Sequence, residues 1–260
     1  MKKNQPAPSP SFLRALLFCL AALASMPLAG HAAAPASTAP RYDTLPAPYP
    51  ALHGTVPVLA FFSYTCWHCH TFEPSLHRWS TTGRQGVAFK RIPISFGKDS
   101  IALQRLHFTL EELGVLPQLH MKIFTAVHDQ PRRLFDDGAV LQFALSNGLD
   151  ARQFRQAYHS AAVSAKVRDA EATRQRYQVN HLPALVVGGR YRLSPEQFVA
   201  RHTGLDMVLA FFQFDNTDAS RKLDAAHAML AATDQLIEQL QTQAGKPAPT
   251  ATPGSTLTSR

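Results

Sequence analysis

Cysteine is scarce in this chain of 260 residues, which contains only three. Cys19 lies in an N-terminal apolar stretch, so removal of that stretch would leave Cys66 and Cys69. Two cysteines so close in sequence can bond only to each other or to a group outside the chain, which excludes a network of structural disulfides. Internal repeats are absent as well, and their absence excludes the solenoid architectures.

Charge is also low. Charged residues make up 17% of the sequence and hydrophobic residues 45%, which is the composition of a soluble globular protein. The formal net charge of +8 falls to +5 if residues 1–32 are removed, because they hold three basic residues and no acidic one. No run of lysine and arginine with interleaved aromatic residues occurs. The modest basic excess therefore indicates a solvated surface, and no nucleic-acid partner is expected.

Residues 1–32 have the features of a secretory signal. Two lysines near the start precede the apolar core Ala15–Leu28, and small residues favour cleavage after Ala32. An uncleaved membrane anchor is the alternative, but the apolar run is shorter than the roughly 20 residues of a spanning helix. No other stretch is a candidate membrane span. We expect export to the periplasm of a Gram-negative bacterium, where a disulfide can persist.

The tetrapeptide CWHC at residues 66–69 stands between a predicted strand and a predicted helix. The apolar run Val58–Tyr64 before it favours a strand, and the segment His70–Trp79 after it favours a helix. The first sulfur then lies over the unpaired N–H groups of a helix N-terminus, which favour thiolate over thiol. An ionised sulfur is a nucleophile and a good leaving group, so the pattern predicts thiol–disulfide exchange.

Each residue of this tetrapeptide has an expected part in the chemistry. Cys66 is expected to be the exposed nucleophile and leaving group, and Cys69 its buried partner. The imidazole of His68 is placed to hydrogen-bond to the Cys66 thiolate or to stabilise its charge. Stabilising a thiolate that exists only after reduction raises the reduction potential, so His68 favours an oxidant over a reductant.

Hydrophobic patterns divide the rest of the chain into strands and helices. Strands are predicted at Val56–Tyr64 and Val87–Phe96, and the pair Gly188-Gly189 predicts a hairpin turn because tight turns need positive φ. A helix is predicted to begin at Pro195, and the last helix to span Asp218–Gln243. In order, the predicted segments are a signal peptide at 1–32, a linker at 33–50 with a candidate edge strand at Tyr42–Leu45, the first part of an α/β domain at 51–98, an inserted helical domain at 99–177, the second part of the α/β domain at 178–243 with an extra segment at 198–217, and a disordered tail at 244–260.

Two segments carry a resemblance to a known family. Residues 61–73, FFSYTCWHCHTFE, and residues 179–191, VNHLPALVVGGRY, together resemble the DsbA family of periplasmic thiol:disulfide oxidases. The resemblance covers about residues 42–193 and the last helix. It implies an α/β protein, with a thioredoxin fold carrying an inserted all-helical domain. It also implies a redox-active Cys66–Cys69 disulfide, with no other cofactor and no metal.

The same resemblance implies partners and a substrate site. The partners are reduced exported polypeptides and a membrane quinone-linked reoxidase of DsbB type, and the protein is expected to be a monomer. In the family a cis-proline loop faces the redox pair, which gives that place to Pro183, with Leu182 presenting backbone N–H and C=O to an extended substrate. Trp67 replaces the family's proline and places an indole beside the reactive sulfur. Ala60 and Arg91 stand where the family has a buried acid and a buried lysine.

Other interpretations stay open at this point. A disulfide isomerase or reductase would share the fold, be kept reduced and usually dimerise, whereas the helical insert favours the monomeric oxidase. A copper metallochaperone would bind metal through the two cysteines and would not be an enzyme. The two cysteines could also form half of a zinc or copper site, with His68 or His70 as a third ligand. Zinc sites of four ligands usually draw on a second Cys or His pair, and no such pair stands at a suitable spacing in this chain.

Overall fold

The computed structural model describes residues 41–46, 55–130, 133–198 and 217–244. The predicted signal peptide at 1–32, nearly all of the extra segment at 198–217 and the tail after residue 244 lie outside these residues. Five strands of the described part form one sheet, and seven α-helices pack around it. None of the described helices is both long enough and apolar enough to cross a membrane.

The sheet is mixed, with the strand order β1-β5-β4-β2-β3. Central strand β2 pairs in parallel with β3 and antiparallel with β4, so it is covered on both edges and its apolar sequence VPVLAFF is largely buried. The short strand β1 pairs antiparallel with β5 at the edge of the sheet. The strands are β1 Asp43–Thr44, β2 Val56–Phe62, β3 Val87–Pro93, β4 Ala184–Val187 and β5 Tyr191–Leu193.

Five of the seven helices lie between β3 and β4 and form the helical insert. Three of them begin at side-chain caps, where Asp136, Asp150 and Ser160 accept hydrogen bonds from the backbone N–H three residues later. Helix α1 follows β2 directly, and α7 ends the described chain. The helices are α1 Trp67–Thr81, α2 Lys98–Glu112, α3 Leu116–His128, α4 Asp137–Ser146, α5 Ala151–Tyr158, α6 Ala161–Arg176 and α7 Thr217–Ala244.

Several element boundaries differ from the predictions. Strand β2 ends at Phe62, two residues before the predicted end at Tyr64, and the last helix is one residue longer at each end than predicted. Helix α1 begins at Trp67, three residues before the expected start at His70. Strand β3 ends at Pro93, because proline has no N–H to continue the ladder. At Pro195 there is a single 3₁₀ turn, Pro195–Gln197, where a helix was expected. The Ser194 N–H does donate to the Gln197 side chain at 3.0 Å, so the capping contact is present although the turn does not continue.

The core is divided among three clusters, and the redox pair lies at the edge of one of them. One face of the sheet packs against α1 and α7, and another cluster joins the sheet to α2 and α6. The third cluster is the interior of the helical insert, and Phe62, Tyr64 and Cys69 belong to it. The second cysteine of the CWHC tetrapeptide is therefore packed where the sheet, α1 and the insert meet.

The β4–β5 hairpin turn contacts the last helix. Gly188 has φ +62, and a Cβ built there would lie 2.5 Å from Leu240 Cδ1 of α7. The positive φ of the turn favours glycine at this position, and a Cβ there would also require the Leu240 side chain to shift.

Candidate active site

Cys66 is the N-cap residue of α1, which is a position usually held by an oxygen acceptor. Its Sγ accepts a hydrogen bond from the Cys69 backbone N–H at 3.2 Å. The hydrogen bond from the Cys69 side chain lowers the pKa of the Cys66 thiol most, and the backbone N–H groups of Cys69 and His68 lower it further, against the effect of partial burial. Cys66 is thus a half-buried thiol whose ionised form is stabilised by the start of the helix.

Cys69 differs from Cys66 in burial and in ionisation. It is 2% exposed, and burial raises the pKa of its thiol well above the ordinary value. Its hydrogen bond to Cys66, the charge of Cys66 and the charge of Glu73 raise that pKa further. Both cysteines are free thiols in this structure. The pair therefore combines a stabilised thiolate with a thiol that keeps its proton.

The loop before β4 reaches the reactive sulfur. The backbone carbonyl oxygen of Leu182 lies 3.8 Å from Cys66 Sγ, and the Leu182–Pro183 peptide bond is cis, as the resemblance implies. Cys66 and Leu182 are 116 residues apart in sequence, so the two segments that carry the resemblance form one site.

A groove with a cavity volume of about 140 Å³ lies along the Leu182–Pro183 loop, which borders Cys66 Sγ through the Leu182 carbonyl. The side chain of His68 is exposed and lines the groove, while its backbone N–H is the group that acts on Cys66. The walls come from α1, the Pro183 loop, the 3₁₀ turn and α7. They are formed by His68, Thr71, Phe72, Leu182, Pro183, Pro195, Glu196, Leu223 and Ala226.

Trp67 packs against two histidine rings and leaves 55% of its surface exposed beside Cys66. Its ring centroid lies 5.5 Å from that of His70 and 5.6 Å from that of His128, both in edge-to-face geometry. The two imidazoles stack on each other at 4.8 Å. His128 Nε2 donates to the Tyr64 carbonyl at 2.8 Å, and burial lowers the pKa of His128. Helix α3 of the insert thereby supports the indole.

A buried ion pair lies one turn after Cys69 on α1. Glu73 is 2% exposed, and its Oε1 accepts from Arg91 Nη2 at 2.6 Å and from Arg91 Nε at 3.0 Å. His120 Nε2 of α3 lies 3.3 Å from the same oxygen. Burial opposes ionisation of Glu73, but His120 and Arg91 outweigh it, so the pKa of the carboxyl is lowered. An ionised carboxylate thus stands in the interior, and its charge raises the pKa of Cys69.

Tyr64 connects this ion pair to a second buried histidine. Its hydroxyl lies 2.7 Å from His120 Nδ1 and 2.9 Å from His107 Nδ1. A phenol has one proton, so it donates to one imidazole and accepts from the other. Donation by His107 to Tyr64 and by Tyr64 to His120 leaves the His120 proton on Nε2, which lies 3.3 Å from Glu73 Oε1 but outside hydrogen-bond geometry. Burial lowers the pKa of His107 well below its ordinary value, which keeps this ring neutral as the arrangement requires.

The structure brings together all six residues that the sequence predicted for the site. The Cys66 sulfur contacts the Cys69 backbone N–H and the Leu182 carbonyl. His68 and Pro183 line the groove. Trp67 follows Cys66 directly in sequence. Sequence reasoning missed the cluster of Tyr64, Glu73, His107 and His120. Two local signals pointed to it: Glu73 is four residues after Cys69 on the same helix face, and His107 recurs among the apolar positions Leu103, Leu106 and Leu110.

The structure places a buried acid at a position that the sequence comparison did not consider. Ala60, which replaces the family's acidic residue, is buried in β2 and offers no charge. The carboxylate comes from Glu73 of α1 and is paired with Arg91 of β3. Within the described ranges, no group of three or more His, Cys, Asp or Glu side chains is arranged to hold a metal ion.

Comparison with known proteins agrees with this geometry. The family described as the DSBA-like thioredoxin domain matches residues 57–210, which is more than half of the chain. The chain belongs to this family. The thiol:disulfide interchange protein DsbA of Bordetella parapertussis is 38% identical over 180 residues, which cover 69% of this chain and 85% of that protein. The protein of the same name from Pseudomonas aeruginosa is 34% identical over 152 residues, which cover 58% of this chain and 72% of that protein.

Solved structures of the DsbA family lead to the same conclusion. The crystal structure of Pseudomonas aeruginosa DsbA superposes with a TM-score of 0.58 at 28% identity, covering 72% of this chain and 94% of that chain. A crystal structure of a variant of that protein gives a TM-score of 0.65 at 26% identity, covering 78% and 96%. The predicted fold, a thioredoxin fold with an inserted helical domain, is confirmed. The chain is a thiol:disulfide oxidoreductase.

Proposed function

We propose that this protein is a periplasmic oxidase that donates the Cys66–Cys69 disulfide to reduced exported polypeptides. One observation carries the proposal: Cys66 Sγ caps α1 and accepts the Cys69 backbone N–H at 3.2 Å. The donors at a helix N-terminus stabilise a thiolate, which exists only after the disulfide has been reduced. Stabilising the reduced form makes the disulfide a stronger oxidant.

The reaction proceeds in two exchanges. A substrate thiolate attacks Cys66 Sγ, the Cys66–Cys69 bond breaks, and its electron pair passes to Cys69, which takes up a proton. The raised pKa of the buried Cys69 favours this protonated product. A second substrate thiolate then attacks the substrate sulfur of the mixed disulfide and expels Cys66 as a thiolate. Two electrons pass from the substrate dithiol to the protein, and the substrate gains one disulfide.

The residues around Cys66 have complementary parts in this proposal. Leu182 and Pro183 hold an extended substrate segment, because the Leu182 carbonyl adjoins the reactive sulfur at 3.8 Å. Trp67 offers an exposed indole on the other side of Cys66, supported by the stacked rings of His70 in α1 and His128 in α3. His68 stabilises the Cys66 thiolate through its backbone N–H and contributes its side chain to the groove.

The redox cycle also needs an oxidising partner and an oxidising compartment. We assign the reoxidation of the dithiol to a quinone-linked membrane protein of DsbB type, with no cofactor beyond the cysteine pair. Export by a signal peptide at residues 1–32, cleaved after Ala32, delivers the chain to the periplasm, where it acts as a monomer. The apolar segment Ala15–Leu28 and the DsbA relatives support this part of the proposal.

Thiol alkylation of freshly isolated protein tests the proposal. An oxidase is expected to be recovered as the disulfide and to oxidise a reduced peptide with two cysteines in stoichiometric amounts. Equilibration with a glutathione buffer then gives the reduction potential, expected well above the roughly −270 mV of thioredoxin. Recovery as a dithiol with a low potential would indicate a reductase or isomerase. Recovery with bound copper and no exchange activity would indicate a metallochaperone.

A further inference from the structure

The groove beside Cys66 contains a carboxylate among largely apolar walls. Glu196 of the 3₁₀ turn lines the groove together with Phe72, Leu182, Pro183 and Leu223. No lysine or arginine of the described residues lines it. A substrate side chain that enters the groove therefore meets one negative charge and a hydrophobic surface.

Glu196 is exposed, and within the described part of the chain no cation forms an ion pair with it. Its charge nevertheless acts on the reactive cysteine. The hydrogen bond from Cys69 lowers the pKa of the Cys66 thiol most, and the negative charge of Glu196 opposes that effect. The groove that Glu196 lines also contains Leu182, whose carbonyl lies 3.8 Å from Cys66 Sγ.

The geometry of the exchange brings substrate neighbours into this groove. The substrate cysteine must reach Cys66 Sγ, and an extended chain advances about 3.3–3.6 Å per residue. The residues next to that cysteine therefore pass along the groove walls. A cavity of about 140 Å³ has room for one side chain, since a protein cavity of roughly 150 Å³ holds benzene.

We propose that Glu196 makes this groove selective for substrates that carry lysine or arginine one or two residues from the reacting cysteine. This inference rests on the proposed oxidase function. The methylene stem of the cation packs against the apolar walls, and its charged end meets the carboxylate. The bound cation also offsets the charge of Glu196, so Cys66 leaves more readily as a thiolate in the second exchange.

Matched peptides test the inference. Three peptides with two cysteines differ only in one neighbour of the first cysteine, which is Arg, Gln or Glu, and the oxidised protein is assayed with each at low salt. We expect a kcat/KM for the Arg peptide about two- to five-fold above that for the Gln peptide, the range of an exposed ion pair. The preference should shrink at 0.5 M salt because exposed charges are screened.

Variants of the protein test whether Glu196 causes the preference for the Arg peptide. In Glu196→Gln the Arg-to-Gln ratio should fall to about one, and in Glu196→Lys the Glu peptide should become the better substrate. Glu238→Gln removes the same charge from an exposed site on α7 and should retain the wild-type ratio. Because each ratio is internal to one protein sample, it does not depend on the fraction of folded enzyme.

The outcomes separate this inference from the proposed function. If the wild-type protein oxidises no peptide, the oxidase proposal fails. If it oxidises all three at equal rates, or if Glu238→Gln lowers the ratio as much as Glu196→Gln does, the oxidase proposal stands and the selectivity of Glu196 is overturned.

Discussion

Arg91 and Glu73 form an ion pair at 2.6 Å that is nearly removed from solvent, with side-chain exposures of 19% and 2%. The pair joins strand β3 to helix α1 close to the redox centre. His120 approaches the same carboxylate oxygen from the helical insert. Removing either partner of a buried pair leaves an uncompensated charge, so this contact should matter for stability far more than a surface ion pair.

We predict that Arg91→Met lowers the free energy of unfolding by about 3–5 kcal/mol, because Glu73 remains buried without the guanidinium that donates two hydrogen bonds to it. Lys166→Met is the control, since Lys166 pairs with Glu111 and Glu112 at the surface, and a change of at most about 1 kcal/mol is expected there. Urea unfolding of the oxidised proteins measures both. If the two variants lose the same free energy of unfolding, the buried ion pair contributes no more to stability than the surface pair, and the prediction is wrong.

We predict that the reduced protein is more stable than the oxidised protein at neutral pH and that the difference depends on pH. The pKa of Cys66 is lowered in the folded state, so its stabilising effect is fully present above the unfolded thiol pKa of roughly 8.5. The effect is lost as the pH falls through the folded pKa. Cys69 has a raised pKa, so its ionisation on unfolding destabilises the reduced form above about 8.5.

Thermal melts of both redox forms between pH 3 and pH 10 test this dependence. The difference in Tm should widen from acid to neutral pH and narrow again at alkaline pH. In the Cys69→Ser variant, Cys69 can no longer ionise on unfolding. The Tm of this variant with Cys66 as a free thiol should therefore not fall at alkaline pH in the way that the Tm of the reduced wild type does. An oxidised form that is more stable across the whole range would indicate a reductant.

Two substitutions at His68 separate its backbone from its side chain. His68→Pro removes both the N–H that acts on Cys66 and the imidazole, whereas His68→Ala removes only the imidazole. A hydrogen bond to a charged group contributes about 1.5–3 kcal/mol, which corresponds to roughly 30–65 mV for a two-electron couple. We expect His68→Pro to lower the reduction potential by about this amount and His68→Ala to lower it by less. An equal decrease in both variants would assign the stabilisation to the imidazole, and no decrease in either would remove His68 from the mechanism.

Pro183→Thr should keep Cys66 reactive but slow the release of bound substrate. Release needs a second thiol to reach the mixed disulfide in the correct geometry, and the loop that holds the substrate borders Cys66 Sγ through Leu182. Complexes of the variant with substrate proteins should therefore accumulate on non-reducing gels. Pro195→Thr, in the same groove but on the 3₁₀ turn, is the control and should trap fewer complexes. A wild-type rate of peptide oxidation without trapped complexes would leave Pro183 as a structural turn.

The cysteine pair at the start of a helix could be predicted from the sequence because its signals are local, whereas the place of Pro183 beside it came from the family resemblance. An apolar strand, the CWHC tetrapeptide and an amphipathic segment follow one another without interruption, and the hairpin after Pro183 has its own turn signal. The sequence places the Cys66 sulfur over the N-terminus of α1, but it puts the first helical residue at His70 instead of Trp67, because no usual N-cap residue marks the true start. At Pro195 the capping residues fix the first turn, but continuation of a helix depends on packing of the residues that follow.

The buried cluster was harder to predict because its contacts are long-range. Tyr64 and His120 are 56 residues apart, and Glu73 and Arg91 lie on different elements. Periodicity places His107 and Glu73 on inward faces, but it does not show which polar groups meet there. Their pairing depends on how the insert docks against α1, which is a tertiary property.

The contacts from His107 through Tyr64 and His120 to Glu73 have an evolutionary consequence. Tyr64 forms hydrogen bonds with both His107 and His120, so the loss of one member would leave a polar group buried without a partner, at a cost of about 1–3 kcal/mol. Selection should therefore treat the four positions as a unit, and they should covary among relatives. A helical insert grafted from a relative without these histidines would function here only if Glu73 and Tyr64 were exchanged with it.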